Sequence, residues 1–253
     1  EMSASLVGSE MCIRDSCWAG AKPRLRPLAR LPLQHRRARN RDCCSDPATD
    51  KPAHTAMDST ILELADRNRR EALSILETLQ IEAIWRSVGA TPHLVGSLRS
   101  GLLMKHLDID LHIYSPAPLH IGDSFAALSR IARNPGVRKI EYANLLDAED
   151  NCLEWHVQYA AQDGRLWQID MIHLPEGSPW EGYFERVADR IAAVLTPETR
   201  EAILRLKYET LDEEKIPGIA YYRAVLADGV RSYAEFAAWL REHPVEGIVE
   251  WMP

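Results

Sequence analysis

Asp108, Asp110 and Asp170 are acids set inside apolar runs, "DIDLHIY" and "WQIDMIHL". The alternation around them is that of β-strands, on which residues i and i+2 share a face, so Asp108 and Asp110 point the same way. Two carboxylates on a half-buried face repel each other and lose hydration, which folding alone does not reward. A cation is the simplest compensation, and carboxylate oxygens suit a hard ion such as Mg²⁺ or Mn²⁺. About ten residues before Asp108, Gly96 and Ser97 turn the chain out of the apolar stretch "PHLVG". Glycine permits a tight turn there, and a serine can cap the short helix "LRSGLLMK". Arg99 and Lys105 are the nearest cations to the turn.

The elements around these residues follow a readable order. Apolar spacing near 3.6 predicts a helix from Ser59 to about Val88, with Ser59 as its cap. "PHLVG" and "DIDLHIY" are strands, and a helix from Gly122 to Asn134 stops before Pro135-Gly136. "VRKIEYANLL", "LEWHVQYAA" and "RLWQIDMIHL" are three further strands, the last two joined by a hairpin at Asp163-Gly164. After Pro175 the pattern becomes helical, over 180–195, 198–214, 217–228 and 233–243, with a capping-box spacing at Ser232 and Glu235. These elements predict an α+β fold, a sheet unit at 57–175 followed by a helical unit at 176–253. Glu154, His156 and Gln158 share one strand face, expected to be polar and solvated, with bordering the pocket as the alternative. His112 is expected as a hydrogen-bonded sheet histidine on the Asp face. Trp180, Tyr183, Phe184, Tyr221, Tyr222, Phe236 and Trp239 are expected to pack the helices.

Residues 1–56 stand apart. "PRLRPLARLPLQHRRARNRD" supports neither periodicity, and "SLVGSEMCIRDS" resembles a translated sequencing adapter. A disordered or non-native leader with Met57 as the native start is the expectation. Residues 1–56 hold ten Lys/Arg against six Asp/Glu, while 57–253 hold twenty against thirty-one. An acidic body is poorly made for gripping polynucleotides, so a nucleic-acid partner is not expected. No run of about 18 apolar residues occurs, so no membrane partner is expected either. Four of the five cysteines lie before Met57, with no C-x-x-C pair, which argues against zinc and disulfides and for a cytoplasmic protein.

The Gly-Ser turn, the Asp-x-Asp about ten residues on, and a later strand acid together resemble the nucleotidyltransferase superfamily of the DNA polymerase β type. Gly96, Ser97, Asp108, Asp110 and Asp170 occupy the motif positions, and the resemblance covers about residues 90–175. Leu107 departs from it, since many members carry a small polar residue there. The resemblance implies a mixed β-sheet core, Mg²⁺ (or Mn²⁺) on the three aspartates, and an NTP substrate such as ATP held near Gly96, Ser97, Arg99 and Lys105. It implies transfer of a nucleoside monophosphate to an acceptor hydroxyl, with release of pyrophosphate. With the acidic body, the acceptor is expected to be a small molecule or a protein. The alternative is an antitoxin-like or non-catalytic module pairing with a partner protein; a third is pyrophosphoryl transfer to a guanosine nucleotide.

Overall fold

The structure, a computed structural model, describes residues 52–148, 151–245 and 249–253. The leader expectation therefore lies outside the described residues for 1–51. The first helix, α1 (Pro52–Thr78), runs continuously through Met57. It does not reach Val88 as its spacing predicts. Gln80 takes a left-handed conformation (φ 52), which breaks the path before the short helix α2 (Ile81–Arg86). A non-glycine residue there turns the axis, so that Ile81, Ile84 and Trp85 bury against the sheet while α1 continues in its own direction.

Five strands form one mixed sheet: β1 (Thr91–Leu94), β2 (Asp108–Ser115), β3 (Val137–Leu145), β4 (Cys152–Ala160) and β5 (Leu166–Pro175). Their order across the sheet is β1-β2-β5-β4-β3. All neighbours are antiparallel except β2 and β5, which run parallel at the centre. The α+β class read from the sequence is the observed one. Helix α3 (Gly96–Ser100) leaves β1, and α4 (Ile121–Ile131) crosses between β2 and β3. The β4–β5 hairpin turns at Gly164 (φ 85), and Arg165 beside it bonds Asn68 and Glu71 of α1 and Asp163.

The alternation of side chains gives the sheet two different faces. Ile109, Leu111, Ile113, Ile169, Met171, Trp155 and Val157 face α2, α4 and the end of α1 in one apolar core. The opposite face carries Asp108, Asp110 and Asp170 near one end, then Tyr114, Ile172 and Leu174 toward the other. That second half is roofed by α5 (Tyr183–Val194), α6 (Pro197–Glu209), α7 (Gly218–Leu226) and α8 (Tyr233–Glu242). The helices have no core of their own. Phe184, Ile203, Tyr222 and Phe236 belong to one cluster with Val95, Leu102, Ile172 and Ile61 of α1. Ser232 and Glu235 close the expected capping box on α8, and Thr196 with Thr199 makes a second one on α6.

Candidate active site

The parallel β2–β5 pair places Asp110 directly opposite Asp170. Directly opposed residues on adjacent strands lie about 5 Å apart and share a face, so two carboxylates separated by sixty residues of chain become neighbours. Each is buried, at 2% exposure. Asp108, two residues earlier, is on the same face at the strand's start and is partly exposed.

The Gly-Ser turn closes on this pair. The Val95 amide donates to the Asp110 carbonyl at 3.0 Å, which fixes the end of β1 beside Asp110. Gly96 then takes φ 63, and a Cβ placed there would stand 2.5 Å from Oδ2 of Asp110. Only glycine supplies both the left-handed turn and the room for the carboxylate. Ser97 opens α3 fully buried, and its Oγ has no hydrogen-bond partner among the described residues. A buried hydroxyl without a partner costs about 1–3 kcal/mol, which an incoming acceptor oxygen would recover.

Asp170 has a neighbour on its other side. His156 is its cross-strand partner in the β4–β5 ladder, and His156 Nδ1 lies 2.7 Å from Asp170 Oδ1. In this hydrogen bond Nδ1–H donates and the carboxylate oxygen accepts. The hydrogen bond to Asp170 raises the imidazole pKa above its ordinary value, against the opposing effect of burial, and Glu154 and Glu141 add to the rise. The polar face of Glu154, His156 and Gln158 is therefore not merely a solvated one.

The two cations near the turn are committed elsewhere. Arg99 forms a fork with Asp189 of α5, through Nε at 2.7 Å and Nη2 at 2.8 Å, and donates to the Leu94 carbonyl at 3.0 Å. The bond to Asp189 raises the guanidinium pKa and lowers that of the carboxylate. Lys105 bonds the Thr210 carbonyl and pairs with Asp212 at 2.7 Å. Both tie the turn region to the roof of helices, which sequence spacing could not reveal because their partners lie 90 and 105 residues away. His112 is buried and bonded, its Nδ1 at 3.2 Å from the Tyr114 hydroxyl, as expected of a sheet histidine. A buried lysine that sequence reading passed over, Lys207, reaches from α6 to the Leu102 carbonyl at 3.0 Å, just past the Gly-Ser helix.

The donor set suits a hard divalent cation. Asp108, Asp110 and Asp170 are all carboxylates, on one face, with two in direct register. Among the described residues, no three His, Cys, Asp or Glu side chains are gathered tightly enough to enclose an ion as they stand. Asp170 Oδ1 is turned toward His156.

No protein-family model and no curated protein matches the chain. Among solved structures, the chain is similar to a non-canonical poly(A) polymerase complex, GLD-2–GLD-3, at 11% identity and TM-score 0.48, covering 75% of this chain and 60% of that one. A cytoplasmic RNA terminal U-transferase aligns at 16% identity and TM-score 0.47, over 68% of this chain and 50% of that one. The Cid1 poly(U) polymerase aligns at 15% identity and TM-score 0.46, over 69% and 54%. The chain thus spans between 50% and 60% of the length of these three proteins.

Proposed function

We propose that the chain is a metal-dependent nucleotidyltransferase, moving a nucleoside monophosphate from an NTP to an acceptor hydroxyl with release of pyrophosphate. The observation that carries this reading is the convergence of Asp110, Asp170 and the Gly96-Ser97 turn on one sheet face. Buried acids opposed in register have no folding benefit of their own, whereas divalent cations would neutralise both them and a phosphate chain.

Asp108 and Asp110 would hold Mg²⁺ or Mn²⁺ together with the triphosphate, and Asp170 would hold it on the acceptor side. When bound, the cation supplies charge neutralisation of the phosphates and a lower pKa for the acceptor hydroxyl. The residues of the chain do the positioning. Gly96 brings backbone close to the phosphates, and the Ser97 hydroxyl donates to a phosphate oxygen. Asp170, hydrogen-bonded to His156, would take the acceptor's proton. Arg99 and Lys105, paired with Asp189 and Asp212, brace the turn and would lend it positive charge near the phosphates.

The acceptor is a hydroxyl on a small molecule or a protein, in keeping with the acidic body. Net charge by itself does not decide against an RNA end, because a local face and not the whole chain meets the acceptor; RNA is therefore one arm of the test. Among the described residues no helix is long and apolar enough to cross a membrane. A cytoplasmic setting fits the buried thiol of Cys152. The test is incubation of the full chain with each α-³²P-labelled NTP and Mg²⁺ or Mn²⁺, offering in turn a metabolite extract, a protein extract and an RNA pool. Label transferred to one of them by the wild type and not by Asp110→Asn is the expected result. Label transferred equally by both would sink the reading.

A further inference from the structure

We propose that His156 is the positioning residue of Asp170: held at Oδ1, the carboxylate is fixed in rotation, and that orientation sets how tightly the acceptor-side cation binds. The proposal rests on the nucleotidyltransferase reading above and extends it to a residue outside the three aspartates.

The geometry begins with the ladder. His156 and Asp170 are direct partners in the antiparallel β4–β5 pair, so their side chains rise from the same face side by side. The 2.7 Å separation is that of a strong, charge-assisted hydrogen bond. The two ends differ in access: the Asp170 side chain is 2% exposed and that of His156 34%. Asp170 sits between two strand neighbours, Asp110 on β2 and His156 on β4. One repels its charge and the other attracts it. An aspartate side chain has a soft, roughly two-fold terminal torsion, so without a partner its carboxylate plane is poorly defined. A donor fixed to the adjacent strand removes that freedom. Partners of metal-ligating groups act this way in general, and their loss typically lowers metal affinity or activity by about 10–100-fold.

Which nitrogen matters is itself testable. Asparagine places its amide nitrogen at the same distance along the side chain as Nδ1, whereas glutamine places it near Nε2. His156→Asn can therefore keep the bond to Asp170, and His156→Gln keeps polarity and bulk without it. A residue that merely fills space on this face would not distinguish the two.

The measurement is Mn²⁺ binding to the full chain, read from the electron paramagnetic resonance signal of unbound Mn²⁺ in the presence of a non-hydrolysable ATP analogue. Wild type, His156→Asn, His156→Gln, His156→Phe and Asp170→Asn are compared, and each is first checked for a cooperative melt. The expected result is a midpoint about 10–100-fold higher for His156→Gln and His156→Phe, with His156→Asn close to wild type. Transfer assays on the same set should show kcat following the Mn²⁺ midpoint, with KM for the NTP little changed. If His156→Phe does not fold, the Asn and Gln pair carries the comparison alone. Equal midpoints for His156→Asn and His156→Gln, or a wild-type midpoint in His156→Gln, overturn the positioning role while leaving the metal site intact. Binding that is the same in Asp170→Asn as in wild type, or absent from both, removes the metal reading itself and the proposal with it.

Discussion

His156 and His173 stand on neighbouring strands and on opposite faces of the same sheet, and their surroundings drive their protonation in opposite directions. His156 rises beside Asp170, and that hydrogen bond pushes its pKa up. His173 is buried among Trp85, Ser115 and Ser124, with Nε2 at 2.7 Å from the Ser115 hydroxyl. Burial pushes its pKa down to about 4. Period-two alternation sends each residue to one side or the other, and the two sides answer to different demands. One face excludes water and surrounds its histidine with neutral hydroxyl partners. The other gathers Asp108, Asp110 and Asp170, with His156 bonded to the last of them.

The largest effect should come from setting one face against the other. Asp110→Asn keeps shape but removes one of two opposed charges, so stability should hold or rise slightly. Transfer should fall on the order of a thousandfold, the loss of several kcal/mol of charge stabilisation. Ile169→Ala, one residue before Asp170 and facing the apolar core at 0% exposure, should lose about 2–5 kcal/mol in denaturant unfolding. A stable Asp110→Asn that transfers normally would erase the functional difference between the faces.

A smaller effect concerns pH. The folded pKa of His173 lies below its usual 6.5, at about 4, so the unfolded chain binds the extra proton first as pH falls. Its contribution to stability is fully present above pH 6.5 and is lost as pH drops from there toward 4. The shift corresponds to about 3 kcal/mol across that window. Unfolding curves at several pH values should show a shallower slope for His173→Asn than for wild type, and identical slopes would mean the imidazole is not the group responsible.

Next in size is Gly96→Ala. The left-handed φ alone costs about 1–2 kcal/mol in a non-glycine residue. The added methyl would also meet Asp110 Oδ2. Melting temperature and the Mg²⁺-NTP thermal shift should fall together, whereas an unaltered thermal shift would separate the turn from the site. The smallest effect is expected for Arg99→Ala. The Arg99–Asp189 pair is partly exposed, with side chains 29% and 58% accessible, so its loss should cost no more than about 1 kcal/mol. A loss of NTP affinity beyond tenfold, read by titration, would return Arg99 to the phosphate role its position in sequence implies.

The strands, the Asp163-Gly164 hairpin and the shared face of Asp108 and Asp110 were all legible in the chain, because each is set by neighbours within a few residues. Period-two alternation, turn chemistry and apolar flanks are local signals. The partners of Arg99 and Lys105 were not legible. Both cations flank the turn, yet what they bind was decided by α5 and the segment after α6 folding back over the sheet. The predicted helix to Val88 likewise yielded to packing, since the left-handed Gln80 lets Trp85 reach the core at 0% exposure. The register of β2 against β5 was also a tertiary matter. Strand sequences announce which face an aspartate takes, but only the ladder decides that Asp110 meets Asp170 and that Asp170 meets His156. Local sequence fixes direction along each strand; pairing between distant strands, driven by burial of the opposite face, fixes who stands beside whom.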